Sequence, residues 1–419
     1  MFKTLNEALN WLYEQKKIKK REDLSRISYL IKKLNIKFNY KIVHIAGTNG
    51  KGSTASFIKK MLQYNDYKVG LFVSPFVIKF NERIQINDEY ITDAEIIEYC
   101  NHLYVIANEY FYEFNDTVPF FELTFLMSLL HFDTNNIDYL VLECGMGGLL
   151  DSTNVVNSDI QVITNIGYDH IVQLGPTLYD IAKHKLGICK TKCFTTVDDE
   201  FVDLFKEYAK NHNILMNFIT ENVKIVDFDN GVTFEFDGEN YHTSMNGEFQ
   251  AYNASLAISV IKELIPSIKK EIIDKALEYT YWPGRFEYVK PNVIIDGAHN
   301  IHGVEALTKT LKNKYPNKYI KVVFTALQDK AIKEMLNCLD EVSDFYYFTS
   351  IIDKRATDVN YFKDFTQKPY KLIDNYIEAL DYAIANLKEE ELLVITGSLH
   401  FISSVIAYFG DKNEWIKHC

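Results

Sequence analysis

Three glycines and one lysine lie within the segment AGTNGKGS, residues 46–53, directly after a short apolar run. Glycine weakens regular structure, so such a cluster indicates a backbone that comes close to a ligand. The backbone N–H groups of Asn49–Ser53 and the start of the following helix can converge on phosphate oxygens, while Lys51 can reach the terminal phosphates. The hydroxyl of Ser53 or Thr54 is suited to bind Mg²⁺. The loop therefore predicts a nucleotide site.

The loop departs in spacing from the pattern G-x-x-x-x-G-K-[ST], because Ile45 stands at the first glycine position and Gly52 separates Lys51 from Ser53. A glycine turn that merely joins a strand to a helix is the alternative interpretation. The strand-loop-helix context, with the lysine in place, favours the nucleotide site. The residues expected to contact the nucleotide here are Gly47, Thr48, Asn49, Gly50, Lys51, Gly52, Ser53 and Thr54.

Acidic and imidazole side chains follow two further apolar runs. Glu143 ends the run YLVLE and precedes the glycine-rich residues 144–148. A carboxylate there suits Mg²⁺, which usually takes one or two protein carboxylates together with substrate phosphates. Asp169 and His170 follow the run IQVITNIG. An Asp-His pair is more often a hydrogen-bonded structural pair, so only its place after a strand favours a functional role.

Short apolar runs alternate with helical patterns from about residue 40 onwards, which is typical of the parallel sheets of α/β proteins. Polar or ligand-binding groups in such sheets collect at the carboxyl ends of the strands. The runs that predict strands in the first part of the chain are KIVHIAG, KVGLFVSP, IDYLVLECG and IQVITNIG, and those in the second part are NVIIDGAHN, IKVVFTALQDK and ELLVITGSLHF. The segments that predict helices are STASFIKKMLQYN and FFELTFLMSLLHF.

The segment WPGRFE, residues 282–287, interrupts this alternation and predicts a linker. With 419 residues the chain exceeds the usual size of a single hydrophobic core, so we expect two domains, over residues 1–283 and 284–419. The fold class is α/β: an N-terminal P-loop mononucleotide-binding domain with a mostly parallel sheet, and a smaller C-terminal Rossmann-like α/β domain. Alternating residues with Asn-Gly and Asp-Gly turns over 214–244 predict β hairpins late in the first domain.

The composition of the chain limits the classes of molecule that it is expected to bind. The formal net charge of −12 disfavours binding to nucleic acid or to an anionic membrane. The six cysteines lack paired CxxC spacing, which argues against a disulfide framework or a zinc site. The start of the chain is not typical of a signal peptide, and no window approaches 18 consecutive apolar residues. We therefore expect a cytoplasmic chain that acts on small molecules. We also expect a monomer, although the sequence does not determine the oligomeric state.

Together the motifs resemble the folylpolyglutamate synthase and dihydrofolate synthase family of the Mur ligase superfamily, over nearly the whole chain and in the family's order. The matching segments are AGTNGKGS, SPF with NERI, FFELT, ECGMGGLLDSTN, ITNIGYDHIVQLGPTLYDIAKHKLGI, PGRFE, DGAHN and TGSLH. The resemblance implies a reaction in which ATP phosphorylates the carboxylate of a dihydropteroate or tetrahydrofolate substrate. The amine of L-glutamate then attacks the acyl phosphate, releasing phosphate. Such chemistry depends mainly on charge neutralisation.

The resemblance also implies roles for individual residues. Ser53 and Glu143 would hold one Mg²⁺, and Glu143, His170 and Ser74 would hold a second. Lys185 matches a lysine that the family carries as a carbamate. The catalytic residues implied are Lys51, His170, Lys185 and His299. The nucleotide contacts implied outside the glycine loop are Asn253, Arg285, Asp296 and Ser398.

The chain departs from the family pattern at a few positions, which are Phe76, Val77, Leu149, His184 and His400. An arginine is usual at position 149, and its loss removes a possible carboxylate or phosphate partner. These departures leave two alternatives open. One is a Mur-type ligase for a different acid, and the other is a nucleotide-binding protein without ligase activity.

Overall fold

The computed structural model describes residues 1–16 and 23–411, so Cys419 lies outside the described residues. The chain divides into two compact units. Within the described residues, the first unit comprises 1–16, 23–166, His170–Asn222 and Asn253–Tyr279, and the second comprises Gly167–Asp169, Val223–Tyr252 and 280–411. The domain boundary after residue 283 stays a prediction.

The first unit is built on an eight-stranded sheet whose strands are β1 (Lys41–Ala46), β2 (Val69–Phe72), β3 (Ile84–Ile86), β4 (Glu89–Tyr90), β5 (Tyr139–Glu143), β6 (Ile160–Ile163), β7 (Lys192–Thr195) and β8 (Leu215–Phe218). The strand order is β4-β3-β2-β5-β1-β6-β7-β8. Strands β2, β5, β1, β6, β7 and β8 are parallel, and β3 and β4 are antiparallel. The central strands are buried on both faces, which explains their unbroken apolar runs.

Ten helices accompany this sheet in the described residues: α1 (Leu5–Glu14), α2 (Ser25–Lys33), α3 (Lys51–Gln63), α4 (Asp93–Phe114), α5 (Phe120–Asn135), α6 (Ile171–Leu174), α7 (Leu178–Leu186), α8 (Asp199–His212), α9 (Phe249–Leu264) and α10 (Lys270–Tyr279). Helix α9 belongs to the first unit from Asn253 onwards. Arg26 on α2 makes a two-pronged ion pair with the buried Glu122 on α5, which ties these two helices together.

The second unit contains two sheets. The strands β9 (Val223–Asp227), β10 (Val232–Phe236) and β11 (Glu239–Thr243) form antiparallel hairpins where turn signals predicted them. The other sheet has the order β12-β13-β17-β14-β15-β16 and is parallel except at β12. Its strands are β12 (Glu287–Lys290), β13 (Val293–Asp296), β14 (Tyr319–Phe324), β15 (Phe345–Ser350), β16 (Tyr370–Asn375) and β17 (Glu391–Thr396).

The helices of the second unit in the described residues are α11 (Ile301–Lys314), α12 (Ile332–Leu339), α13 (Val359–Phe362), α14 (Tyr376–Ala385) and α15 (Leu399–Asp411). A core of aliphatic and aromatic side chains from β13, β14, β15 and β17 packs against α11 and α12. Both units thus have a mainly parallel sheet, and the predicted α/β fold class is confirmed. None of the helices in the described ranges combines the length and apolar character needed to cross a membrane.

Candidate active site

The glycine loop after β1 contains two glycines whose Cβ positions are blocked by neighbouring side chains. A Cβ on Gly47 would lie 1.8 Å from Thr164 Oγ1, and a Cβ on Gly50 would lie 2.3 Å from Asn253 Oδ1. Gly50 also has a φ of +83°, in the left-handed region that favours glycine. Close packing inside the first unit therefore requires both glycines, besides any approach of a ligand.

Two backbone N–H groups of the glycine loop already donate hydrogen bonds within the protein, which limits the N–H groups that could bind phosphate. Thr48 N donates to Asn165 O at 3.0 Å, and Asn49 N donates to Asn165 Oδ1 at 2.9 Å. These two N–H groups are used inside the protein. The first turn of a helix has N–H groups without partners in that helix, so we expect the phosphate donors in the first turn of α3, from Lys51 onwards.

Lys51 folds back over the loop and faces a carboxylate. Its Nζ donates to Gly47 O and to Thr48 O, both at 3.1 Å, and lies 3.9 Å from Glu143 Oε1. The Glu143 carboxylate is buried, with its side chain 5% exposed. The amine and the carboxylate come from the ends of the adjacent strands β1 and β5, so the sheet register brings them together.

Ser74 lies beside the same carboxylate. Ser74 N donates to Glu143 Oε2 at 3.0 Å, and the Ser74-Pro75 peptide is cis. Ser53 lies in the first turn of α3 and is also buried. A carboxylate with nearby serine hydroxyls offers the hard oxygen ligands that Mg²⁺ prefers. The described part of the chain holds no group of three or more His, Cys, Asp or Glu side chains that could bind a metal unaided, so phosphate and water would have to complete the coordination.

The other predicted residues of the first unit have contrasting surroundings. His170 immediately precedes the short α6 and is exposed, with a φ of +52°. Lys185 on α7 is 3% exposed. Asn253 lies against the glycine loop, where its Oδ1 accepts from Thr54 Oγ1 at 3.4 Å. The structure therefore places Asn253 beside Gly50.

A buried polar cluster follows Glu143. Burial raises the pKa of the Cys144 thiol, the Asp151 charge adds to this, and the positive charges of Lys51 and Lys185 act in the opposite direction. Both lysines therefore lie within electrostatic range of Cys144. His44 Nε2 lies 3.1 Å from Cys144 Sγ and 2.8 Å from Thr153 Oγ1.

The protonation state of His44 follows from this cluster. Thr153 Oγ1 donates to Asp151 Oδ1 at 2.6 Å, so His44 Nε2 carries the proton that it donates to Thr153. Burial lowers the pKa of His44 to about 3, and the charge of Lys190 adds to this. The imidazole is therefore neutral near neutral pH.

Arg83 is a cation to which the sequence motifs assigned no role. Its guanidinium carbon lies 5.1 Å from the ring centre of Phe76, 5.5 Å from that of Phe120 and 6.0 Å from that of Phe80. Arg83 is 8% exposed, and its Nε has no hydrogen-bond partner in the described structure. Burial lowers its pKa to about 10, while the charges of Tyr13, Glu143 and Glu82 act in the opposite direction.

A buried guanidinium beside aromatic rings is suited to an acid that carries a flat ring. Arg83 is the third residue of the NERI motif, and that segment was the only signal for it in the sequence. Because its charge and that of the Glu143 carboxylate act on each other, the cation lies near the candidate metal ligand.

In the second unit, Asp296 joins two of the predicted motifs. Its Oδ2 accepts from Phe286 N and its Oδ1 from Ala298 N, both at 2.8 Å. Burial raises the pKa of Asp296, and the nearby charge of Arg285 acts in the opposite direction. The carboxylate thus holds PGRFE against DGAHN. Ser398 is buried two residues after Thr396, the strand partner of Asp296.

His299 belongs to a small network in the second unit. Its Nδ1 lies 2.8 Å from Gly297 O, and its Nε2 lies 3.4 Å from Asp169 Oδ2. Asp169 also accepts from Lys330 Nζ at 2.7 Å and from Asn300 Nδ2 at 3.2 Å. From the sequence, Asp169 and His170 were weighed as a structural pair or as site residues, and the contacts described here join Asp169 to His299. Lys330 has no diagnostic neighbour in the sequence, whereas Asn300 is the last residue of the DGAHN motif, in which only Asp296 and His299 were given roles.

Comparisons with known proteins agree over nearly the whole chain. The Mur ligase middle domain model matches residues 45–261, and the Mur ligase, glutamate ligase domain model matches residues 284–399. The dihydrofolate synthase/folylpolyglutamate synthase of Bacillus subtilis is 33% identical, with 97% of this chain and 99% of that protein covered.

Solved structures extend the likeness to the fold. Escherichia coli FolC in complex with DHPP and ADP has a TM-score of 0.88 at 25% identity, with 98% of this chain and 99% of that chain covered. The bifunctional folylpolyglutamate synthase/dihydrofolate synthase of Yersinia pestis, complexed with AMPPNP and Mn ion, has a TM-score of 0.87 at 24% identity, with 97% and 98% covered. At that identity the second likeness concerns the fold.

Proposed function

Because the chain belongs to the dihydrofolate synthase and folylpolyglutamate synthase family of Mur ligases, and is thus an ATP-dependent ligase, we propose that it joins L-glutamate to a folate-type carboxylate. The observation that carries the proposal is the convergence of Lys51, Glu143 and Ser74 at the ends of adjacent parallel strands. This arrangement offers one cation and hard oxygen ligands beside a helix N-terminus, which suits a nucleotide and a divalent metal.

The residues of the first unit fit the reaction as follows. Lys51 would neutralise the terminal phosphates of ATP, and Glu143 with Ser53, Ser74 and His170 would hold two Mg²⁺ ions. When bound, the ions supply charge neutralisation for phosphoryl transfer. An oxygen of the acid attacks the γ-phosphorus and ADP leaves, after which the glutamate amine attacks the acyl carbon and phosphate leaves.

The acid substrate is supported by Arg83. A folate-type acid has a flat ring system and a carboxylate, and Arg83 combines a buried guanidinium with three phenylalanine rings. The family usually has an arginine at the position of Leu149, which is 47% exposed in this chain. Arg83 comes from a different segment, so the first unit still offers a cation to the carboxylate of the acid substrate although that arginine is missing.

Three finer assignments accompany the proposal. Lys185 is carried as a carbamate, so turnover should fall in buffer depleted of carbon dioxide and recover with bicarbonate. In the second unit, Arg285, Asp296 and Ser398 bind the nucleotide and His299 acts at the phosphate, while Asn253 of the first unit acts beside the glycine loop. Along the chain, the boundary between the two domains lies after residue 283, in the gap between the two matching family models.

We further propose that the chain is a cytoplasmic monomer without a nucleic-acid or membrane partner. The formal net charge of −12 supports the exclusion of polyanions. Size-exclusion chromatography with light scattering tests the oligomeric state directly.

The test of function uses the purified chain with ATP, Mg²⁺, L-glutamate and either dihydropteroate or tetrahydrofolate. ADP is measured, and products are resolved by mass spectrometry at the level of single glutamyl additions. Addition to dihydropteroate alone, to tetrahydrofolate alone or to both identifies the synthase activity. ATP binding without product from either acid would refute the folate-type substrate and return attention to another acid or to nucleotide binding without ligation.

A further inference from the structure

The segment between β2 and β3 forms a closed loop whose base is paired by backbone atoms. Val73 N donates to Arg83 O at 3.0 Å, and the loop returns through a 3₁₀ turn over Phe80–Arg83. We call residues Ser74–Lys79 the Ser74 loop. Its residues Pro75, Ile78 and Lys79 are exposed, and Val77 is buried. The loop lies outside the strands of the described sheet, so its backbone donors need another acceptor.

The acceptor is the carboxylate of Glu82. Val77 N donates to Glu82 Oε2 at 2.7 Å, Ile78 N donates to Oε1 at 2.9 Å, and Lys79 N donates to Oε1 at 2.8 Å. Glu82 is 8% exposed, so water screens these bonds weakly. Three consecutive backbone donors thus converge on one buried anion, which fixes the conformation of the outer half of the loop.

The inner half of the Ser74 loop carries two groups of the candidate site. Ser74 N donates to the Glu143 carboxylate at 3.0 Å. Phe76 lies with its ring centre 5.1 Å from the guanidinium carbon of Arg83, the residue that follows Glu82 in the chain. Two adjacent residues therefore contact the Ser74 loop in different ways. Glu82 binds its backbone, and Arg83 packs against the ring of Phe76.

We propose that Glu82 is a positioning residue for the acid substrate. By anchoring Val77–Lys79, it keeps Ser74 on Glu143 and Phe76 against Arg83. The inference rests on the proposed function, in that the acid occupies the surroundings of Arg83. It predicts that weakening the anchor impairs use of the acid more than use of ATP, because the acid meets Phe76 and Arg83 at the loop whereas ATP is bound mainly by the glycine loop.

The Glu82→Gln variant weakens the anchor with little change in shape. Both carboxylate oxygens accept backbone N–H groups, and the amide nitrogen of glutamine is a donor only. In either orientation of the amide, at least one backbone N–H then faces another donor. Glu89→Gln is the matched control, because Glu89 lies on β4, close in sequence, and is exposed. It removes the same charge from the surface, and Glu89 accepts none of the backbone hydrogen bonds that anchor the Ser74 loop.

Hydrogen exchange read by mass spectrometry tests the anchor itself in the full chain. In Glu82→Gln, peptides that contain Val77, Ile78 and Lys79 should exchange about tenfold faster or more, because bonds to a charged acceptor are among the stronger ones. Peptides from β1, β5 and α3 should keep their rates, and Glu89→Gln should resemble the wild type throughout. Unchanged exchange over residues 77–79 would overturn the inference.

Steady-state kinetics test the functional part. Glu82→Gln should lower kcat/KM for the acid roughly 10- to 100-fold through a displaced loop, with a clearly smaller loss of kcat/KM for ATP. Equal losses for acid and ATP, or faster exchange with normal use of the acid, would overturn the positioning role. If Glu82→Gln does not fold, the charge-conserving Glu82→Asp variant takes its place with the same readouts. A wild-type chain inactive with both acids refutes the proposed function, whereas an active wild type with an unaffected variant refutes only this inference.

Discussion

Replacing Lys51 with methionine directly tests the grouping of Lys51, Glu143 and Ser74, because methionine roughly keeps the length of the side chain and removes its charge. The attraction between Lys51 Nζ and Glu143 Oε1, 3.9 Å apart, is about 4 kcal/mol at an effective dielectric constant of about 20. The bonds to Gly47 O and Thr48 O are lost as well. Removing one partner leaves Glu143 buried beside fewer compensating charges.

We therefore expect Lys51→Met to lower the free energy of unfolding by about 2–3 kcal/mol, measured by urea denaturation at pH 7. Turnover should fall roughly 10²- to 10³-fold, because a charge that stabilises phosphoryl transfer is removed. Lys60→Met is the control, since Lys60 pairs at 2.8 Å with the exposed Asp88 and should cost less than about 1 kcal/mol. Retention of more than about a tenth of the turnover, or a stability loss no larger than that of the control, would refute the reasoning.

Two further predictions concern buried basic groups. Arg83→Met should reduce kcat/KM for the acid about 100-fold or more. It should lower the unfolding free energy by less than about 1 kcal/mol, because the buried guanidinium with its unbonded Nε is costly to desolvate. Steady-state kinetics and urea denaturation measure the two effects, and a large loss of stability would contradict the second. Burial lowers the pKa of His44 to about 3 in the folded chain, whereas the imidazole of the unfolded chain has the ordinary value of about 6.5. As the pH falls from about 6.5 to about 3, only the unfolded chain binds this proton, so the folded state loses stability over that range. In His44→Gln, the slope of unfolding free energy against pH between about 4 and 6 should decrease by up to about 1.4 kcal/mol per pH unit, and an unchanged slope would show that His44 does not titrate in this way.

Much of the architecture follows from local patterns. Unbroken apolar runs predicted β1, β5 and β6, and helical spacing predicted α3 and α5, because both faces of a central parallel strand are buried and a helix repeats every 3.6 residues. The Asn-Gly and Asp-Gly turns likewise predicted the hairpins of β9–β11. These features depend on residues close in sequence, so a single chain is enough to recognise them.

Within the candidate site, the sequence predicted which residues follow a strand, but it did not predict which of them contact each other. Lys51 and Glu143 could each be placed after a strand, whereas their 3.9 Å approach depends on β1 and β5 being neighbours. The contact of Asn253 with the glycine loop joins residues about 200 positions apart, at 3.4 Å from Thr54. Such proximity carries no local signal, so it could not be derived from spacing.

Glycine, lysine and carboxylate placed after apolar runs were enough, in the amino-acid sequence alone, to indicate an α/β nucleotide site, since those residue types are what phosphate chemistry requires, and the order of the motifs indicated the ligase family. Only the tertiary structure decided that Arg83 is a buried cation among phenylalanines, that Glu82 anchors the Ser74 loop and that Asp169 contacts His299. The physical reason is that burial and electrostatic pairing are properties of surroundings assembled from distant segments, and a side chain acquires them only when the strands have taken their order in the sheet.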